Sequence, residues 1–185
     1  PSVIPPDVIF KSTWQLGPPD LKIEMSDEHT MPPNVIEDVS DFLLVTKLPD
    51  TKWLNAVDLL PGNASIVRDA VISIENGPVL ALWQPGNEMA VAPSGAAFRL
   101  APGSKIHLQI HYKKPFDQEE KTLTDKSIIG LYFTDPPSSA REILSFAIDP
   151  PAAPAAPAAS KKFEGLLPNA ARIVGLRPTL DRSYQ

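Results

Sequence analysis

The chain has 185 residues, with 17 lysines and arginines against 22 aspartates and glutamates, so its formal net charge is −5. An acidic chain without a basic stripe argues against a nucleic-acid-binding surface. Hydrophobic residues make up 43% of the chain, and this length suits one domain with a sizeable core. The 22 prolines exclude a mostly helical protein, because proline interrupts helix interiors.

Cysteine is absent, which excludes disulfides, thiolate nucleophiles, Cys-ligated zinc and iron–sulfur clusters. No apolar run approaches the roughly 18 residues that a membrane-spanning helix needs. The first residues, PSVIPP, have neither the basic start nor the apolar stretch of a signal peptide. Because the chain does not begin with methionine, we expect a processed, trimmed or partial product.

Short segments with alternating apolar positions recur between prolines and turn residues, which is typical of short antiparallel strands. The fold that they predict is all-β. We expect an antiparallel, jelly-roll-like β-sandwich of about eight or nine short strands with little helix. The candidate strands are residues 21–25, 41–47, 53–60, 65–74, 79–83, 105–112, 127–133, 141–148 and 171–176.

The clearest of these strands contains the run IHLQIHY. Its alternation predicts that Ile106, Leu108 and Ile110 are buried between two sheets, and that His107 and His111 share the opposite face. Four steps along a strand separate the two histidines by about 13 Å, so one metal ion cannot bridge them. We therefore interpret them as polar groups on a solvent or cavity face, in preference to a metal site.

Two segments lack strand patterning. Residues 113–126 (KKPFDQEEKTLTDK) are strongly charged, which predicts a solvated loop. Residues 150–160 are rich in proline and alanine, which predicts an extended, polyproline-like spacer without ladder pairing. The expected organisation is a β-sandwich domain with an extended N-terminal arm over 1–149, then this spacer, then one or more strands over 161–185 that begin a truncated second domain or complete the first.

No nucleophile or phosphate-binding motif is present: the chain has no G-x-S-x-G, no G-x-G-x-x-G and no P-loop. The paired carboxylates Glu119 and Glu120 lie in the charged segment, where solvation is the simplest role. Trp14, Trp53 and Trp83 lie in or beside predicted strands, where packing is a more frequent role than carbohydrate stacking. The residues by themselves therefore indicate a soluble β-sandwich without visible catalytic machinery.

Several segments, in this order and spacing, resemble a known family. They are similar to the bacterial relatives of the copper type II, ascorbate-dependent monooxygenases, whose better-known members are peptidylglycine alpha-hydroxylating monooxygenase and dopamine beta-monooxygenase. The resemblance covers nearly the whole chain. It is carried by WQLGPPD (14–20), PGN (61–63), IVRDA (66–70), WQPG (83–86), LAPGSKIHLQIHY (100–112) and IGLYF (129–133).

The resemblance implies two jelly-roll-like sandwich domains in tandem, each carrying one copper. In the first domain the copper ligands are a His-His pair after the P-G-N turn and the histidine of an L-Q-x-H-Y strand. The second domain begins with a P-H-x-H strand. Here His111 matches the L-Q-x-H-Y histidine, whereas the His-His pair falls on Arg68 and Asp69, and Thr179 and Asp181 replace the two histidines of P-H-x-H.

Four of the five matched ligand positions thus lack imidazole. Copper that cycles between Cu(I) and Cu(II) needs neutral imidazole or soft sulfur donors, and one histidine cannot hold it. We expect no cofactor, no metal and no catalytic residue. Arg68 and Asp69 are adjacent on a predicted strand, so we expect their side chains on opposite faces, with one of them meeting His111 in a polar or ionic cluster.

These observations favour a non-catalytic, monooxygenase-like β-sandwich that serves as a structural or protein-binding subunit. The resemblance implies a periplasmic or extracellular location and, as partners, other protein subunits of an extracytoplasmic or membrane-associated complex. The alternative is a fragment or subunit of an active copper-dependent, ascorbate-type monooxygenase. A third, weaker possibility is a sandwich that binds a small ligand or a sugar.

Overall fold

The computed structural model describes residues 13–137, 141–146, 148, 165–166 and 171–174. The chain divides into two compact units, Pro1–Ser145 and Phe146–Gln185. The first unit contains every helix and strand given below, and the few described positions of the second unit are in neither helix nor strand. Over the described residues, no helix is long and apolar enough to cross a membrane.

The regular secondary structure of the described part of the chain is almost entirely β-strand, with a single 3₁₀ turn at Phe116–Gln118 and no α-helix. The strands in chain order are β1 (Leu21–Glu24), β2 (His29–Met31), β3 (Glu37–Val45), β4 (Lys52–Leu60), β5 (Val67–Ile74), β6 (Val79–Trp83), β7 (Ala90–Val91), β8 (Phe98–Leu100), β9 (Lys105–Lys113), β10 (Leu123–Asp125) and β11 (Ile128–Thr134).

These strands form two main antiparallel sheets. In the first sheet the order is β1-β11-β4-β7, and β8 also pairs with β4. In the second sheet the order is β3-β9-β5-β6. A separate short ladder joins β10 to β2. The prediction of an all-β, antiparallel sandwich with little helix is confirmed.

The hydrophobic core combines side chains from both sheets. Strand β9 contributes Ile106, Leu108 and Ile110, which are fully buried, and the first sheet contributes Leu54 and Leu131, which are also fully buried. The apolar residues of β9 therefore face the core, as predicted. His107 and His111 lie on the other face of β9. Because β9 is an inner strand, between β3 and β5, both histidines are on the outer surface of the second sheet and away from its edges.

Most predicted strands have close counterparts in β1, β3, β4, β5, β6, β9 and β11. The strand predicted at 141–148 is wrong over its described residues, where only an isolated bridge joins Glu142 to Ala97. Residues 171–174 are not in a strand, and 175–176 lie outside the described residues. The sequence missed β2, β7, β8 and β10, because two or three residues are too few to establish a period.

The interpretation of residues 113–126 as a solvated loop is wrong at both ends of the segment. Lys114 is only 3% exposed, and Asp125, the last residue of β10, is 1% exposed. Between them the segment is more open, and Phe116 is almost fully exposed. Composition could not separate these positions, since a charged side chain can be buried when hydrogen-bond partners surround it.

The predicted spacer at 150–160 and the N-terminal arm at 1–12 lie outside the described residues. So do most residues of the predicted C-terminal strands at 161–185, of which only 165–166 and 171–174 are described.

Candidate functional site

His111 lies on β9, in the centre of the outer face of the second sheet. Its neighbour directly across on β5 is Asp69, and its neighbour on β3 is Val39. Glu37 lies two residues before Val39 on the same face, which is a diagonal position within reach of a long side chain. The histidine side chain is about one-quarter exposed.

Both ring nitrogens of His111 contact carboxylates. Nδ1 lies 2.9 Å from Oδ2 of Asp69, and Nε2 lies 2.7 Å from Oε1 of Glu37. The other oxygen of Glu37, Oε2, lies 3.3 Å from Nζ of Lys113. An ionised carboxylate only accepts hydrogen bonds, so both contacts are hydrogen bonds when both ring nitrogens carry a hydrogen. In that protonation state the groups form a charge-balanced ionic cluster that links β3, β9 and β5.

The structure therefore brings together two of the sequence-predicted positions, His111 and Asp69. The third, Arg68, is the extra residue of a β-bulge, since the register passes from Val67 opposite Tyr112 directly to Asp69 opposite His111. Alternation of side chains does not hold across a bulge. The expectation that Arg68 and Asp69 face opposite sides assumed a regular strand, and the bulge shows that this assumption is wrong. Arg68 forms no ion pair among the described residues.

The residues around His111 do not fit copper. The two carboxylates bind opposite nitrogens of the ring, so they cannot converge with the imidazole on one ion. A single imidazole is also too few soft or borderline donors for a copper that cycles between two oxidation states. More broadly, over the described parts of the chain there is no group of three or more His, Cys, Asp or Glu side chains that could hold a metal ion. Thr179 and Asp181 lie outside these parts.

The other two histidines have acidic neighbours of their own. Nε2 of His107 lies 2.9 Å from Oδ1 of Asp41. The ring of His29 stacks on Tyr112 with a centroid distance of 4.3 Å. Its Nε2 lies 3.2 Å from Oδ2 of Asp38 but lacks hydrogen-bond geometry, which makes this a contact between charges at most. The three histidines therefore do not form one site.

Glu37 was missed by the sequence analysis. It is 74 residues from His111 in the chain, and nothing in the pattern of β3 distinguishes it from the other acidic residues of that strand. Only the register between β3 and β9 places it beside the histidine. A sequence signal for this pairing would have required the sheet order to be known in advance.

The sequence analysis also missed a cleft of about 240 Å³, which is lined by residues of the segments 14–20, 61–63 and 83–86. Asp58 on β4 lines it and is 3% exposed. Its carboxylate accepts hydrogen bonds from the backbone N–H groups of Gln15, at 3.2 Å, and Leu59, at 2.9 Å. The side chain of Gln15 in turn bonds the backbone of Asn87 and Met89. These polar groups join chain segments to one another, which gives the cleft a structural role.

The hydrogen bond with His111 and the neighbouring Lys113 ammonium hold the pKa of the Glu37 carboxyl below its usual 4.5. A group whose pKa is lowered by folding stabilises the protein above its unfolded pKa, and this contribution disappears as the pH falls through the folded value. We therefore expect Glu37→Gln to lower the urea midpoint at pH 7 and to lower it less at about pH 3, because glutamate carboxyls become protonated below their usual pKa range. Glu28→Gln, at an exposed position, is the control and should shift the midpoint equally little at both pH values. A Glu37 effect that is independent of pH would contradict this prediction.

Comparisons with known proteins add no relative: no protein-family model matches the chain, and searches of curated proteins and of solved structures also find no match.

Proposed function

We propose that this protein is a non-catalytic, copper-monooxygenase-like β-sandwich that serves as a structural or protein-binding subunit of a larger extracytoplasmic assembly. The proposal places it in the periplasm or outside the cell, with other protein subunits as partners. The observation that carries it is the state of His111, which is the one family-like ligand that retains imidazole.

Both nitrogens of this histidine are occupied by protein carboxylates, from Asp69 on one side and Glu37 on the other. The ring therefore has no lone pair directed towards an open position. Where the family resemblance implies a second imidazole, the chain has the Asp69 carboxylate directly opposite on the neighbouring strand. An internal ion cluster in this place supports a role that depends on surfaces and not on metal chemistry.

Exposed apolar side chains on the second sheet support the protein-binding part of the proposal. Leu43 and Val45 on β3 are 43% and 47% exposed, and Leu82 on β6 is 52% exposed. All three lie on the two edge strands of this sheet. Leu43 and Val45 lie two residues apart on one face of β3 and form a small apolar patch, which favours contact with another protein, whereas Leu82 on the opposite edge is a single exposed group.

Copper titration tests the proposal. We expect the wild-type chain to bind Cu(II) and Cu(I) no more tightly than an exposed histidine does. Asp69→His should place two imidazoles directly across from each other on neighbouring strands, and the double variant Arg68→His, Asp69→His should restore the family-like pair. Either variant should raise copper affinity by at least about tenfold in isothermal titration calorimetry, because imidazole is a much better copper ligand than a lone carboxylate.

Asp69→Asn is the matched control, because it disturbs the ion cluster without adding imidazole. Tight, stoichiometric copper in the wild-type protein would overturn the non-catalytic proposal and favour a fragment or subunit of an active copper monooxygenase. If neither histidine variant gains affinity over Asp69→Asn, the match between positions 68–69 and the family's His-His pair is wrong.

A further inference from the structure

Strand β3 is a long edge strand with one side unpaired among the described residues. The even-numbered positions of β3 make the backbone hydrogen bonds to β9. The two bonds just beyond the ends of the strand show this: the N–H of Thr46 donates to the carbonyl of Ser104, and the carbonyl of Ile36 accepts from the N–H of Lys114. The odd-numbered positions therefore direct their N–H and C=O groups away from β9, towards the free edge. None of these groups has a backbone partner within the described parts of the chain.

Several features that commonly block an edge strand, namely proline, basic residues and a bulge, are missing from β3. The strand contains no proline, lysine or arginine, and its nine residues pair with β9 without a bulge. Its acidic residues lie in the N-terminal part, whereas the last four residues, FLLV, are apolar. An unprotected edge of this length is a template for pairing with another strand.

We propose that β3 pairs in antiparallel fashion with β3 of a second copy of this chain, about a twofold axis at Phe42. In this register the free backbone groups of the odd-numbered residues meet those of the second copy. Within the strand, the side-chain pairs across the axis are Val39 with Val45, Ser40 with Leu44, Asp41 with Leu43, and Phe42 with itself.

Charge and hydrophobicity select this register among the possible ones. Two adjacent registers have the same backbone parity. The one centred on Asp41 places Asp41 opposite its own copy, and like charges directly opposite each other are destabilising. The one centred on Leu43 pairs only residues 41–45 within the strand, whereas the proposed register pairs residues 39–45. The proposed register instead places Val39 opposite Val45 and sets no like charges directly opposite each other. It also joins Phe42, which packs on the edge of the core, to its own copy. The sequence of β3 is therefore complementary to itself.

The pairing joins the two second sheets into one continuous sheet through β3. It satisfies the free backbone groups of the edge and covers the exposed side chains of Leu43 and Val45. This inference does not rest on the proposed function, since it uses no property of the His111 cluster, and a copper-binding result of either kind leaves it unchanged.

Disulfide trapping tests the register directly, because the natural chain has no cysteine. In Phe42→Cys the two thiols meet at the axis, in a pair without backbone hydrogen bonds whose Cα atoms are about 4.5 Å apart, which is within disulfide range. In Val45→Cys, the control, the two thiols are about 20 Å apart. Under mild oxidation we expect a covalent dimer from Phe42→Cys and none from Val45→Cys, although Val45 is the more exposed position. Equal or greater cross-linking at position 45 would overturn the proposed register.

Sedimentation velocity over a concentration series supplies an independent readout that does not alter the half-buried Phe42. The wild-type chain should show a sedimentation coefficient that rises from monomer towards dimer. Leu43→Glu should move the midpoint to at least about tenfold higher concentration, because the new carboxylate lies directly opposite Asp41 of the second copy and like charges directly opposite each other are destabilising. Leu82→Glu, at a similarly exposed leucine on the opposite edge strand, is the control and should leave the midpoint unchanged. A wild-type chain that stays monomeric, or equal shifts in both variants, would overturn the proposal.

Discussion

Asp125→Ala should lower the free energy of unfolding by about 4 kcal/mol, because three donors in a buried site lose their acceptor at a cost of about 1–3 kcal/mol each before water enters. Oδ1 of Asp125 accepts from the backbone N–H of Asn63 at 2.7 Å. Oδ2 accepts from the hydroxyls of Tyr112, at 3.0 Å, and Ser127, at 2.8 Å. Asp125 and Ser127 are almost completely buried.

The site around Asp125 connects three parts of the sandwich. Asn63 belongs to the P-G-N turn after β4, Tyr112 lies on β9, and Asp125 ends β10. Burial, together with the nearby Asp125 charge, raises the pKa of the Tyr112 hydroxyl, which therefore stays a donor throughout the accessible pH range. In the same turn, a Cβ on Gly62 would lie 2.6 Å from the carbonyl oxygen of Lys126, so the turn packs directly on this chain segment.

Two variants make the Asp125 prediction specific. Asp125→Asn keeps one carbonyl acceptor and should cost about 2 kcal/mol. Asp135→Ala, at an exposed position just after β11, should change the free energy of unfolding by no more than about 0.5 kcal/mol. Urea denaturation followed by tryptophan fluorescence measures all three. A loss for Asp125→Ala that is no larger than that for Asp135→Ala would show that the buried carboxylate does not anchor the turn.

Lys114→Met should lower the free energy of unfolding by about 2–3 kcal/mol, because backbone carbonyls then lose a charged donor that water replaces only in part. Nζ of Lys114 donates to the carbonyl oxygens of Pro32, at 2.7 Å, Glu119, at 3.2 Å, and Lys121, at 2.6 Å. Methionine retains most of the apolar stem, so the variant removes the ammonium group and leaves the packing largely intact.

The neighbouring lysine provides the matched control. Lys113 is exposed, and its ammonium forms an ion pair only with the carboxylate of Glu37 among the described residues, so Lys113→Met should cost no more than about 0.5 kcal/mol. Amide hydrogen exchange should also increase at Gln118 and Lys121 in Lys114→Met, because the loop between the 3₁₀ turn and β10 loses its attachment. Equal stability of the two variants would contradict the assigned role of Lys114.

The sequence by itself determined the fold class and the positions of the longer strands. Strand β9 shows why, since its alternation of Ile106, Leu108 and Ile110 with polar residues has the period of a half-buried strand whatever its partners are. Turn residues and prolines bounded the longer strands for the same local reason. Local patterning failed over the described residues of 141–148, because a single bridge between Glu142 and Ala97 does not extend into a ladder there.

The candidate site was determined by the sequence only in part. His111 and Asp69 could be named from the resemblance, but the partner on the other ring nitrogen, Glu37, depends on the register of β3 against β9. The bulge at Arg68 likewise arises from the pairing of two strands and has no signature within β5 alone. Contacts of this kind join residues that are distant in the chain, so they become defined only when the sheets assemble.

Only the tertiary structure decided which charged residues are buried. Lys114 and Asp125 lie in one run of charged residues whose composition resembles a solvated loop, yet both are almost fully covered. Burying a charge is unfavourable unless hydrogen-bond partners replace water. The partners of Lys114 are backbone carbonyls that follow β2 and the 3₁₀ turn. The partners of Asp125 are a backbone N–H of the P-G-N turn, the Tyr112 hydroxyl on β9 and the Ser127 hydroxyl. Because these groups converge only in the folded chain, no local pattern in the sequence could distinguish the two buried charges from their exposed neighbours.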